Sequence, residues 1–157
     1  MRMPIKSLKS RRATAGFSLI ELMVALVIVG VLASVAVPSY QEQVRKGRRT
    51  DAKITLAETA HVLERCFATN LTYNDCPIGA DGEGGIARTD LGETVSLPSR
   101  EGWYVVSVEV PSAVTFTLTA APSESGVMHS DTRCAEYTLD QTGAKGISGE
   151  GKTSDCW

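Results

Sequence analysis

The sequence predicts an α+β protein: a long N-terminal helix, transmembrane in its first half and amphipathic in its second, packed on an antiparallel sheet. Three observations carry this. Residues 17–37 form an apolar run with a single charged side chain, Glu21. Ala52, Leu56, Ala60, Leu63 and Phe67 recur at helical spacing, and three later stretches alternate apolar with polar side chains, the period of a half-buried strand. The expected organisation is a basic leader over 1–16, a membrane-crossing helix over 17–37, and one modest globular domain over 38–157 that includes the second half of the helix.

The 157 residues carry 16 Lys and Arg against 18 Asp and Glu, a net charge of −2. That near-balance is uneven along the chain. Residues 1–16 hold Arg2, Lys6, Lys9, Arg11 and Arg12 with no acid, and without them 11 cations face 18 acids, a net of −7. A run of 21 residues rising about 1.5 Å each makes roughly 32 Å of helix, enough to cross a hydrocarbon layer of about 30 Å. The basic leader is that of a secretory signal, but an ordinary signal peptidase needs small residues after the apolar stretch. Here Pro38-Ser39-Tyr40-Gln41 follows, and the small residue, Gly16, comes before. Charge alone leaves orientation open, since Arg45, Lys46, Arg48, Arg49 and Lys53 balance the five leader cations.

Glu21 is the unusual residue of the run. A carboxylate at mid-membrane costs about 2.5–3.5 kcal/mol on insertion scales and calls for a partner. A cut between Gly16 and Phe17 would place Glu21 in the first turn of a helix, where the dipole favours an anion. The same cut frees an α-amino group on Phe17, a natural counter-charge on this chain or a neighbour.

Gly16-Phe17-Ser18-Leu19-Ile20-Glu21 resembles the processing site of type IV prepilins, and the likeness continues through Gly30, Pro38, Ser39 and Tyr40 into Arg48-Arg49-Thr50-Asp51-Ala52-Lys53. The resemblance implies the pilin fold and a subunit of a filament, or fimbrium, serving twitching motility and cell adhesion. It implies that a prepilin peptidase cuts after Gly16, that Phe17 becomes an N-methylated first residue, and that Glu21 neutralises the amine of an adjacent subunit. A cytoplasmic leader is implied too, so the helix would sit in the inner membrane until the assembly platform passes the subunit to a surface pilus. Gly30 and Ser34, at small-xxx-small spacing, allow close helix approach. Pro38 removes a backbone donor and weakens the turn before it, and in the family the segment 30–38 can unwind in the filament. The partners implied are other pilins, major and minor.

Beyond Pro38 the helix continues, and its apolar face needs a sheet to cover it. Candidate strands are 103–110, with Tyr104, Val106, Val108 and Val110 on one side; 113–120, with Val114, Phe116, Leu118 and Ala120; and 135–140, with Ala135, Tyr137 and Leu139. Pro111-Ser112 is expected as the turn between the first two, and Gly143 marks another. Residues 76–85, rich in glycine and acid, read as a surface loop. Asp81 and Glu83 do not make the full spacing of a calcium loop, so no metal is expected there.

Cys66, Cys76, Cys134 and Cys156 allow three pairings. A domain behind a membrane anchor and a cleaved leader lies outside the cytoplasm, where disulfides persist. The local pairing is expected: Cys66–Cys76 ties the end of the long helix to the loop after it, and Cys134–Cys156 closes the C-terminal segment on the third strand, as is common in pilins. No CxxC or nearby Cys/His pair supports zinc.

The chain also contains GxxxxGK[ST], as Gly146-Ile-Ser-Gly-Glu-Gly151-Lys152-Thr153. A phosphate-binding loop needs a buried strand before it and a helix after it facing the phosphates. Only four residues follow Thr153, and Ser-Asp-Cys-Trp is not expected to make a helix, so the match is read as accidental. His61 and His129 read as solvated or packing residues, no catalytic set stands out, and Asn70-Leu71-Thr72 is a weak glycosylation sequon. Neither an enzyme nor a cofactor is expected.

Arg48 to Lys53 and the stretch from Leu63 to Tyr73 resemble minor pilins of twitching-motility pili more than major ones. The expected function is thus a minor pilin that primes or modulates assembly. A major pilin, a type II secretion pseudopilin and a DNA-binding competence pilin stand behind it in that order. Cys134 and Cys156 argue against the pseudopilin. The acidic mature chain lacks the basic track that DNA binding needs, so no nucleic-acid partner is expected, and a version beginning near Arg45 should not bind DNA at physiological salt.

Overall fold

The structure is a computed structural model, and it describes residues 18–80, 86–124 and 126–157. The chain divides into two compact units, Met1–Tyr40 and Gln41–Trp157. Helix α1, Leu19–Asn70, contributes to both and continues through Pro38. In the first unit, every described residue is exposed, and α1 is long and apolar enough here to cross a membrane.

In the second unit α1 packs on an antiparallel sheet. Ala52, Leu56, Ala60 and Leu63 are buried, the 4, 4, 3 spacing that puts side chains on one helical face. Thr55 and Thr59 are buried beside them, and their hydroxyls donate to Asp51 O (2.9 Å) and Thr55 O (2.8 Å) four residues back. That internal bond lets a threonine be buried without an orphaned hydroxyl.

The main sheet has five strands in sequence order: β3 (Thr94–Pro98), β4 (Tyr104–Ser112), β5 (Thr115–Pro122), β6 (Tyr137–Asp140) and β7 (Lys145–Ile147). All pairs are antiparallel. Tyr104, Val106, Val108, Val110, Phe116, Leu118, Ala120, Tyr137 and Leu139 alternate inward to face the helix. Each large apolar side chain so buried contributes about 1.5–3 kcal/mol relative to exposure. A separate hairpin, β1 (Pro77–Ala80) with β2 (Ile86–Arg88), follows the helix.

Three expectations are corrected. The turn expected at Pro111-Ser112 lies at 113–114, because β4 runs to Ser112 past a register shift after Glu109. A proline without a backbone donor is tolerated at such an irregularity. The stretch 76–85 is not loop throughout: Pro77–Ala80 is a strand that buries Ile78. Thr153–Cys156 forms one helical turn, α2, fixed from both sides by its packing against β7 and by a disulfide.

Candidate functional site

The candidate functional residues fall into two groups, one on the exposed part of α1 and one where the helix is fastened to its domain. Gly16 and Phe17 lie outside the described residues, as do Asp81 and Glu83. Glu21 sits near the start of α1, exposed, with no ion pair among the described residues. A Cβ on Gly30 would meet nothing within 4 Å, so its own chain does not require glycine there. Pro38 lies inside the helix without ending it.

The Arg48-to-Lys53 stretch fastens the helix to three parts of the domain: Arg48 and Asp51 hold the loop between β3 and β4, Arg49 holds Asp131, and Lys53 holds the C-terminal segment. Arg48 stacks its guanidinium 4.3 Å from the centre of the Trp103 ring, a cation–π contact. Arg49 is only 4% exposed and donates through two nitrogens to Asp131, at 2.7 and 2.8 Å, in the fork geometry that makes arginine–carboxylate pairs specific. It also meets Glu42 at 3.3 Å. Burial alone pushes the Asp131 carboxyl up, but the Arg49 hydrogen bonds and charge outweigh it and hold the carboxyl below the usual carboxylate range. Asp51 accepts from the Ser99 hydroxyl and from the Glu101 backbone at 3.1 Å, and Ser99 Oγ in turn accepts from Tyr104 N–H at 2.9 Å. Lys53 donates to the carbonyl of Cys156 at 3.1 Å, and burial, then the charges of Arg49 and Lys145, lower its pKa. Tyr104 and Tyr137 lie beside this cluster in edge-on contact, and burial pushes the Tyr137 phenol up to about 12.

The resemblance singled out the helical half of this network but not its partners. Asp131, Trp103, Ser99 and Glu42 occupy three other parts of the sequence and carry no local pattern. One signal was available: an arginine one turn from a helical core face needs a carboxylate, which some polar loop must supply.

The C-terminal segment closes on β6 and β7. The structure forms disulfides between Cys66 and Cys76 and between Cys134 and Cys156, with Cα separations of 5.9 and 5.8 Å. The glycines of the GxxxxGK[ST] match have structural reasons to be there. Side chains at Gly146, Gly149 and Gly151 would come within 3 Å of Thr138 or Arg133, and Gly151 N–H donates to Arg133 O at 2.7 Å. The segment lies flat on its neighbours, and the four-residue α2 is too short to present a phosphate site. Trp157 donates its indole N–H to Gly146 O at 2.9 Å, satisfying a carbonyl of the last strand.

The helix is bare and apolar in its first part, and in its second it packs under a five-stranded antiparallel sheet closed by a C-terminal disulfide, the fold that the resemblance to pilins implies. A family model described as "Type IV minor pilin ComP, DNA uptake sequence receptor" matches residues 38–138, and a "Prokaryotic N-terminal methylation motif" matches residues 11–37. The chain belongs to this type IV pilin family. It is 36% identical over 114 residues to a fimbrial protein of Neisseria meningitidis serogroup A, a match covering 71% of this chain and 57% of that one. To a type IV major fimbrial protein FimA of Dichelobacter nodosus it is 24% identical over 130 residues, covering 80% and 81%. The chain thus spans less than two thirds of the length of the Neisseria relative. A solved type IV pilin from Shewanella oneidensis is similar at 23% identity and a TM-score of 0.39, with 72% of this chain and 97% of that one covered.

Proposed function

We propose that the chain is a minor pilin of a type IV pilus. A prepilin peptidase cuts between Gly16 and Phe17, Phe17 is N-methylated, and the helix over 17–37 holds the subunit in the inner membrane. The assembly platform then passes it into a surface filament, whose growth it primes or modulates. The observation that carries this reading is the methylation-motif match over 11–37 joined to a stretch of helix on which no side chain is covered. Such a surface is stable in lipid or against the same segment of neighbours, so polymerisation replaces one apolar setting by another. The minor assignment draws on the description of the family model.

Quantitative mass spectrometry of sheared filaments tests it. The chain is expected at trace abundance with an N-terminal peptide beginning at methylated Phe17. Dominant abundance would make it the major pilin, in line with the Dichelobacter relative. Gly16→Leu is expected to leave the full-length precursor uncut, and a mature-length product from it would place the cut elsewhere.

A second reading, a pilus-borne receptor for DNA, is favoured by the description of the matching family model. The charges weigh against it: Arg49 is enclosed with Asp131, Arg48 lies on Trp103, and Lys53 is bound to a carbonyl. A gel shift with the full-length protein at physiological salt decides, and no retarded complex is expected. A complex at low-micromolar protein that weakens steeply with salt, as phosphate contacts require, would replace the first reading by the second.

A further inference from the structure

Three loops meet at the end of the sheet where α1 finishes: 71–75, 89–93 and the turn between β4 and β5. Tyr73 N–H donates to Ala113 O (2.9 Å), Gly92 N–H to Val110 O (3.0 Å), and Leu91 N–H to the Asn74 side-chain oxygen (3.1 Å). Each loop presents one large apolar side chain to solvent: Leu71 is 74% exposed, Leu91 48% and Val114 58%. Leu71 also holds a left-handed φ of 57°, a conformation that disfavours a side chain with a Cβ. Asp90 and Glu93, in the middle loop, are exposed carboxylates with no ion pair among the described residues. An apolar patch rimmed by charge is the usual form of a protein-binding surface.

The complement lies at the other end of the domain's share of α1. Arg45 and Lys46 are exposed and unpaired among the described residues, while Arg48 and Arg49 are engaged within the domain. We propose that the pole formed by Leu71, Asp90, Leu91, Glu93 and Val114 receives the basic helical turn of an adjacent pilin subunit, the turn this chain itself carries as Arg45-Lys46. Pole against pole would set Asp90 and Glu93 against the same carboxylates, and like charges in contact oppose binding. The unpaired acids equally repel an anionic membrane or DNA. A contact between two different patches is heterologous, and where its rotation does not close into a ring it is compatible with an open helix of subunits. The proposal rests on the filament reading above.

The test uses the full-length protein in cells that assemble filaments. Zero-length carbodiimide coupling of wild-type filaments, read by mass spectrometry, is expected to join Asp90 or Glu93 to a lysine in the helix start of a neighbouring pilin, Lys46 if the neighbour is a second copy. The double variant Asp90→Lys, Glu93→Lys is expected to fall about tenfold in filaments, the effect of roughly 1.4 kcal/mol. Its membrane level should stay normal, with both disulfides formed. Incorporation of that variant at the wild-type level, or coupling of these carboxylates only to other surfaces, overturns the docking assignment. Absence of the wild-type chain from filaments overturns the filament reading and this proposal with it.

Discussion

At the scale of single residues, the Arg49–Asp131 pair decides most. Both side chains are about 95% buried, and removing one partner from such a pair leaves an unmatched charge, which costs about 3–5 kcal/mol. Asp131→Asn is expected to lower stability by that order, measured by chemical unfolding of the full-length protein in detergent. The pair also makes a pH prediction. The folded pKa of Asp131 lies below its unfolded value of about 3.9. Its contribution is therefore complete above that unfolded value and is lost as pH falls through the folded one. Wild type should lose stability on acidification from about pH 5 downward, and Asp131→Asn should show a shallower acid limb. Equal slopes for the two proteins would show that the pair does not couple folding to protonation.

At the scale of elements, what the sequence made legible follows from which elements repeat a period. The helical face was readable because Ala52, Leu56, Ala60 and Leu63 recur over three turns, and β4, β5 and β6 because each alternates for four residues or more. Strands β1, β2 and β7 are three or four residues long, and each carries glycine, proline or a charged residue. They have no room to show alternation, and only long-range pairing defines them. The fastening site was half legible for the same reason: its helical half is one contiguous stretch, and its other half is scattered over loops that the fold brings together. The C-terminal closure makes the element-scale prediction. Cys156 is tied to Cys134, its carbonyl accepts from Lys53, and the next residue caps Gly146. Replacing both cysteines by serine is expected to cost about 2–5 kcal/mol, and to loosen α2 and β7 ahead of the rest. Thermal unfolding, with hydrogen exchange of the β7 amides, checks both. Uniform exchange across the sheet would mean the disulfide stabilises the domain as a whole and not this corner of it.

At the scale of the whole molecule, the two units follow opposite rules. In the folded domain most large apolar side chains are inside and charges are paired or solvated, whereas from Leu19 to Tyr40 the apolar side chains are all outside. That inversion is stable only where something apolar surrounds the helix, and the reading proposed above supplies it first as lipid and then as other subunits. Glu21 is the residue for which the two settings differ. In lipid it is a liability of up to about 2.5–3.5 kcal/mol, the cost at mid-membrane; in the reading proposed above it would stand beside the free amine of a processed neighbour as half of an ion pair, which would bias the subunit toward the filament. Glu21→Val removes the liability and the pair together. The variant is expected to be cleaved and held in the membrane as well as wild type, or better, yet to be depleted from sheared filaments, which a comparison of membrane and filament fractions reads directly. Normal filament content would mean that apolar packing alone drives entry and that the carboxylate serves some other step. Depletion with intact processing would place the selection of subunits at the pairing of one chain's carboxylate with another chain's terminus.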